Sequence, residues 1–425
     1  MNGTAWRTRS CHSIPTLCPR HIFTTFLKPV KVLEAVRAVP VEAAAATNMH
    51  PRTISIVVSS LILAIAGTAT AGVLPDDRGD ILYHLYDGGG ITIDGPSILV
   101  RKKVGKSVSL VGNYYIDMIS SASIDVITTA SPYTEEREQM SLGMDYLRGN
   151  TTMSVSITNS EESDFTSDSY SFSVSQDMFG DLTTLTMAYS LGDDEVRRSD
   201  DDTFTRDADR QFYSIGLTQI VTRNLIMGLN VETITDEGFL NNPYRTVRYL
   251  DPGSPVGYSY EPELYPNTRT STAVGFRARY HLPYRAALQG EYRFFTDTWG
   301  IISHTAAISY THPWGPFTFT GKYRFYTQDQ ADFYSDLFSR SEATNFRGRD
   351  KELSEFVSQN FRLQASYELF KEWSYFERGS VNLIYDQLLI DYDNFRDLTS
   401  GAPVGQEPLY ALDAGVYQLF FSFWF

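Results

Sequence analysis

The stretch that decides the fold is the end of the chain, Gly415-Val416-Tyr417-Gln418-Leu419-Phe420-Phe421-Ser422-Phe423-Trp424-Phe425. In an extended strand, successive side chains point to opposite faces. One face of this segment is therefore wholly aromatic and aliphatic, and it consists of Tyr417, Leu419, Phe421, Phe423 and Phe425. Such a face has to be buried or to meet lipid, and a soluble protein rarely includes its last residue in a buried strand.

This ending resembles the closing strand of outer-membrane barrels of Gram-negative bacteria. In those proteins the barrel-assembly machinery recognises the last residue of the closing strand. The resemblance implies that this machinery is a partner and that the apolar face of residues 417–425 is the assembly signal.

Near the other end of the sequence lies one continuous apolar run, Ile54–Ala66, which is too short for a membrane-spanning helix of about 20 residues. It follows Met49-His50-Pro51-Arg52 and runs into Ala69-Thr70-Ala71. A basic start, an apolar core and an Ala-x-Ala end predict a secretory signal peptide over residues 49–71. The alternative is a buried helix of a soluble protein. Residues 1–48 are interpreted as a segment upstream of the true start at Met49. Alternatively, they form a genuine long leader.

The composition after residue 71 limits the possible functions. Both cysteines, Cys11 and Cys18, precede that point, so the rest of the chain needs no disulfide chemistry. Its net charge is about −20, which argues against nucleic acid as a partner. It also contains no run that could form a transmembrane helix, so membrane insertion would require a closed barrel.

From Asp80 onward the sequence repeats runs of alternating character that are separated by short turns and longer polar loops. Two-residue turns are expected at Val104-Gly105, Gly149-Asn150, Gly180-Asp181, Arg223-Asn224, Pro283-Tyr284 and Trp314-Gly315, with a broader turn around 373–378. Longer loops are expected at 119–135, 193–208, 237–268, 330–352 and 397–410. This arrangement predicts an all-β fold, a single antiparallel up-and-down transmembrane barrel of about 16 strands over residues 72–425. A soluble sandwich or a lipocalin-like barrel is the alternative.

Residues 146–195, with Ile91–Ser97 and Asp117–Ser123, resemble a domain-of-unknown-function family of outer-membrane barrels. In that family the genes often lie beside a flavin transferase and a small lipoprotein. The resemblance therefore implies a lipoprotein or a periplasmic partner in an envelope redox system. It implies no catalytic or binding residue, because none is established in the family.

No constellation of residues predicts an enzyme or a cofactor. The histidines His84, His281, His304 and His312 are not spaced as metal ligands. Inward serines such as Ser154, Ser156, Ser171 and Ser173 lack a recognisable nucleophile setting. Asp200, Asp201 and Asp202 are a weak calcium candidate in a loop whose charges are otherwise expected to pair internally. In a variant of this hypothesis, divalent ions bridge the loop to lipopolysaccharide phosphates.

The charges on the predicted inward faces are the most informative pattern. A basic ladder is expected from Arg277, Arg279, Arg285, Arg293, Lys322, Arg324 and Arg362, and the acids Asp117, Asp145, Glu291 and Glu368 are expected to face the same lumen. Such a ladder favours anions in an open pore, or it belongs to an ion-paired network that fills the lumen. Two functions stay open: a porin-like channel or transporter for small solutes, and a structural barrel that docks a partner without an open pore. The loop 237–268 is a candidate lid, constriction loop or docking surface.

Overall fold

The computed structural model describes residues 73–121, 133–373 and 375–425. The predicted signal peptide and residues 1–48 lie outside the described residues. Strands dominate the described part, which otherwise has two short 3-10 helices, Lys351–Leu353 and Leu398–Ser400. Neither helix has the length and apolar character that crossing a membrane requires.

Eighteen strands follow one another along the described chain. They are β1 (Arg78–Gly88), β2 (Ile91–Val104), β3 (Val108–Ser121), β4 (Tyr133–Arg148), β5 (Thr151–Glu161), β6 (Phe165–Met178), β7 (Thr183–Arg198), β8 (Asp201–Thr222), β9 (Leu225–Gly238), β10 (Thr246–Leu250), β11 (Tyr258–Pro262), β12 (Thr268–His281), β13 (Ala287–Asp297), β14 (Ile302–Trp314), β15 (Phe317–Gln328), β16 (Phe356–Trp373), β17 (Phe376–Arg396) and β18 (Leu409–Trp424).

Sixteen of these strands form one closed antiparallel ring, in which each strand pairs with its neighbours in the chain. The hairpin β10–β11 stands apart, between β9 and β12. The ring closes where β1 pairs with β18, with Asp80 opposite Ser422 and a hydrogen bond from the Ser422 hydroxyl to the Asp80 carboxylate. The predicted barrel of about 16 strands, closed by the C-terminal strand, is confirmed.

The two faces of each strand meet different surroundings. On β18, Tyr417 is 49% exposed, whereas its neighbour Val416 is 2% exposed. The same alternation on β16 leaves Leu363 66% exposed. A soluble sandwich would bury such side chains, so the exposed apolar face has the character of a lipid-facing belt.

The polar face is the concave, inner one. Ion pairs on this face join strands that are separated by a third strand, as Lys322 on β15 does with Glu291 on β13 at 2.7 Å. Arg293 on β13 likewise reaches Glu232 on β9 across β12, at 3.2 Å. Side chains converge on the inside of a curved sheet and diverge on the outside. Contacts that reach across an intervening strand therefore identify the face that lines the lumen.

Two of the loop predictions were wrong. Residues 193–208 belong largely to strands β7 and β8, which continue past the barrel rim and meet in a two-residue turn at Ser199-Asp200. Residues 237–268 contain the hairpin β10–β11, so this stretch, which has five prolines, is not loop throughout. Four of these prolines lie outside the two strands and Pro262 is the last residue of β11, so the ladder of the hairpin stays intact.

Candidate functional site

One wall of the lumen is basic. The inner faces of β12–β15 carry six Arg and Lys residues and two acids, namely Arg269, Arg277, Arg279, Arg293, Lys322, Arg324, Glu291 and Asp297. Near the middle of this wall, Glu291 accepts from Lys322 and pairs with Arg277 at 3.4 Å. The excess of positive charge therefore remains although several of these groups are ion-paired.

Three other residues that were predicted to face the lumen lie outside the wall formed by β12–β15: Arg362 and Arg285 of the ladder, and the acid Glu368. Arg362 is on β16 and donates to Asp386 of β17 at 2.8 Å, where both side chains are buried. Arg285 was wrongly placed in the ladder. It lies in the β12–β13 turn with a φ of 69°, and its amide donates to the Leu282 carbonyl. Pro283 lacks the amide hydrogen that a strand ladder needs, so β12 ends before it and the turn widens. Glu368 lies at a β-bulge between β16 and β17.

The wall formed by β3–β6 is polar and acidic, and it lies roughly opposite the basic wall. Between the two walls stand three strands on one side and five on the other. Asp145 contacts Arg101 and accepts from the Ser154 hydroxyl at 2.6 Å. Serines continue the surface, and the Ser171 and Ser190 hydroxyls are 2.7 Å apart. A positive wall thus faces a weakly negative one across the lumen.

Sequence reasoning missed the partner of Asp117. The Nε2 atom of His84 on β1 lies 2.9 Å from an Asp117 carboxylate oxygen, and the Tyr115 ring stacks on the imidazole. Arg137 of β4 approaches the same carboxylate at 3.8 Å. In the sequence analysis, His84 was considered only as a metal ligand, by its spacing from the other histidines. The alternation of β1, which puts His84 on the inner face with Asp80 and Leu82, was the signal that could have found this cluster.

In the loop that was predicted as a calcium candidate, the carboxylates of Asp200 and Asp201 are already engaged by neighbouring groups. Asp200 pairs with Arg198 at 2.6 Å, and one oxygen of Asp201 accepts from the amide and hydroxyl of Thr203. Because these oxygens are engaged within the turn, the three aspartates do not converge on one point. Among the described residues, the carboxylates that come close together are those of Glu135, Glu162 and Asp164.

The end of the barrel that carries the long loops has a second feature, which we call the lid: residues 239–267, 329–355 and 397–408. Arg248 joins the three segments, because its fully buried guanidinium contacts Glu407 and Asp336 and donates to the Asp336 carbonyl at 2.9 Å. Arg349 also pairs with Asp336, at 2.9 Å. The lid is therefore one interlocked unit.

The lid crosses the mouth of the barrel. Its apolar seam packs against inner-face residues of β8, β12 and β13, namely Ala208, Ala273 and Phe295. From the same seam, the Tyr334 hydroxyl donates to the Asn394 carbonyl of β17 at 3.1 Å. In the ring, six strands separate β8 from β17 on one side and eight on the other. A segment that contacts both walls must span the opening between them.

Contacts with the rim support this placement. The Tyr244 hydroxyl donates to Asp164 in the β5–β6 turn and accepts from the Ser199 amide in the β7–β8 turn at 2.7 Å. Four residues further on, Arg248 meets Glu407 of the β17–β18 loop. Four residues span about 14 Å at most, so loops from distant parts of the rim meet over the lumen.

Comparison with known proteins places the chain in a family. A family model described as a protein of unknown function (DUF3570) matches residues 123–375, more than half of the chain. No curated protein sequence matches it.

The solved structures that resemble the chain include a siderophore receptor, PirA, from Pseudomonas aeruginosa, at 10% identity and a TM-score of 0.42. The match covers 83% of this chain, and the chain spans 64% of that receptor's length. The outer membrane protein opdK from the same organism matches at 7% identity, with a TM-score of 0.40 and coverage of 83% and 99%. OmpT, an outer membrane protein of Vibrio cholerae, matches at 10% identity, with a TM-score of 0.39 and coverage of 84% and 100%.

The closed ring and its exposed apolar belt together give this chain an outer-membrane β-barrel fold, of the kind found in porins and transporters. The resemblance that residues 146–195 suggested is confirmed by the family match, and the chain belongs to the DUF3570 family.

Proposed function

We propose that the protein is an outer-membrane channel or transporter of a Gram-negative bacterium, which passes small solutes with a preference for anions and has a mouth covered by the lid. One observation carries the proposal: the excess of positive charge on the inner faces of β12–β15. In a pore, a wall of Arg and Lys side chains raises the local concentration of anions and lowers that of cations.

The size of the ring supports a water-filled lumen. Barrels of 16 strands are too wide for their inward side chains to fill. Inner-face residues of β5 and β6, such as Ser156 and Ser171, are half-buried rather than buried. The apolar inner cluster around Leu388 and Ile390 is confined to the sector of β16–β18 and β1–β3. Room for solutes is therefore expected beside β4–β7 and β12–β15.

Single-channel recording of the purified barrel in a planar bilayer tests the proposal. An open channel with anion preference is expected, and the preference should fall in Arg279→Gln and Arg324→Gln. Arg285→Gln is the matched control, because Arg285 lies in the short-turn side of the barrel and not on the ladder. Unchanged selectivity in both ladder variants, or a fall of equal size in the control, would contradict the proposal.

The second candidate is a structural barrel that docks a periplasmic or lipoprotein partner and has no open pore. The interlocked lid favours it, because a rigid cover over the mouth suits a barrel whose interior is not a passage. A barrel that never conducts, and that co-purifies with a partner in stoichiometric amount, would favour this second function over the first.

A further inference from the structure

A buried cluster of charged groups lies inside the lid, where its segments 239–267 and 329–355 meet. Glu263 follows strand β11 and is 6% exposed. One of its oxygens accepts from the Arg349 amide at 2.7 Å, and the other accepts from the Tyr265 hydroxyl at 2.6 Å. The Glu263 carboxyl group thus ties the two segments together directly.

The electrostatic surroundings of Glu263 are unbalanced. Besides Tyr265, the groups that act on it are the Asp350 carboxylate, the Arg245 guanidinium and the Arg349 amide. Arg245 pairs with Asp350, and one Asp350 oxygen also accepts from the Glu352 amide at 3.0 Å. The guanidinium of Arg349 is held by Asp336. Two largely buried carboxyl groups therefore share one nearby guanidinium.

Apolar packing surrounds the cluster. The Tyr265 ring lies 5.4 Å from the Trp299 ring and 5.2 Å from the Phe333 ring, all within the seam by which the lid packs on the barrel. An added negative charge on Glu263 would stand beside this seam and close to Asp350. Burial and the Asp350 charge therefore disfavour ionised Glu263, and they outweigh the hydrogen bonds from Arg349 and Tyr265, which favour it.

We propose that the lid is a proton-sensitive cover: protonated Glu263 holds its segments together, and ionisation of Glu263 favours opening. This inference goes beyond solute passage and does not depend on it. Burial, followed by the negative charge of Asp350, raises the pKa of Glu263 to about 7.

The sign of the pH dependence follows from the raised pKa. An acid that binds its proton more tightly in the closed lid than in water stabilises the closed lid at low pH. That stabilisation is lost as pH rises from the ordinary value of 4.5 through about 7. If Glu263 becomes hydrated on opening, the opening constant should rise by about tenfold between pH 6 and pH 8.

Amide hydrogen exchange of the full barrel in lipid vesicles, corrected for the intrinsic rate at each pH, measures opening without any solute. We expect exchange in the segments 239–267 and 329–355 to rise about tenfold from pH 6 to pH 8, with the strands β13–β15 as an unchanged internal reference. Glu263→Gln should abolish this dependence. Glu261→Gln is the matched control, since Glu261 pairs with Arg347 at 3.1 Å elsewhere in the lid and the dependence should persist.

A second variant protects the test against a misfolded Glu263→Gln. Asp350→Asn removes the repelling charge and leaves Arg245 to Glu263, so the transition should move to lower pH. A merely structural role of Asp350 would not move the transition. The inference is overturned if wild-type exchange is the same at pH 6 and pH 8, or if Glu263→Gln keeps the wild-type dependence. Because exchange reads the lid alone, a barrel that never conducts would remove the proposed channel and leave this inference standing.

Discussion

Replacing Arg248 should release the lid from the barrel mouth. Its guanidinium is fully buried and contacts groups in two other segments, Asp336 and Glu407. Arg248→Met keeps the apolar, unbranched stem of the side chain and removes its charge and all its donors. Glu407, at 4% exposure, would then keep a buried carboxylate without its guanidinium partner.

The expected magnitude follows from these contacts. Removing one partner of a buried ion pair costs about 3–5 kcal/mol. Arg349 still contacts Asp336 at 2.9 Å, and backbone amides of Gly405 and Glu407 still act on the Glu407 carboxylate, which favours the lower end of that range. A loss of about 3 kcal/mol corresponds to a roughly hundredfold rise in the opening constant, since 1.4 kcal/mol is tenfold.

The assay is amide hydrogen exchange across the lid at one pH, with limited proteolysis as a second reading. Adding Glu407→Gln to Arg248→Met should recover much of the loss, because a buried amide is less costly than a buried unpaired carboxylate. Arg198→Met is the control: its pair with Asp200 is exposed on the rim and should contribute under about 1 kcal/mol. Equal exchange in the Arg248 and Arg198 variants would refute the reasoning.

Two further predictions concern the barrel wall. Asp117→Asn should lower the thermal unfolding midpoint of the barrel, because it weakens a buried contact with His84 that is worth about 1.5–3 kcal/mol. Circular dichroism in detergent measures the midpoint, and Asp168→Asn, at a half-buried position, serves as control. Gly238→Ala should loosen the β8–β9 rim, because φ is +117° and the added Cβ would lie 2.3 Å from the Asp207 carbonyl oxygen. Gly290→Ala is the control for this second change, since its Cβ meets nothing within 4 Å, and equal exchange at the rim in both variants would contradict the prediction.

Much of the barrel could be predicted from the sequence because its rules are local. The period of two on each strand, as in Phe317–Phe325, assigns side chains to lipid or lumen without any knowledge of the neighbours. Turn residues with positive φ, such as Gly105 and Gly149, set the ends of the hairpins. Once the direction of β18 is given, the parity of strands and turns fixes the count and requires β1 to close the ring.

The predictions were wrong at positions where contacts distant in sequence, rather than local patterns, determine the structure. The polar composition of residues 193–208 predicted a loop. The strands β7 and β8 nevertheless extend through these residues, because a polar hairpin is stable in water when its two strands form hydrogen bonds with each other. Arg285 followed the alternation of β13, but the turn at Pro283 displaced it. The contacts of Arg248 join residues 88 and 159 positions away in the sequence, and no local signal encodes such a distance.

The lid changes how the charge ladder can act. In an open pore the basic wall would meet solutes directly from outside, and selectivity would depend on residues such as Arg279 alone. In the proposed channel a solute would first have to pass a cover whose segments are joined by Arg248 and Glu263. Entry and selection are therefore assigned to different residues, and the variants separate them: a lid variant should change how often the pore is open, whereas Arg279→Gln should change which ion passes once it is open.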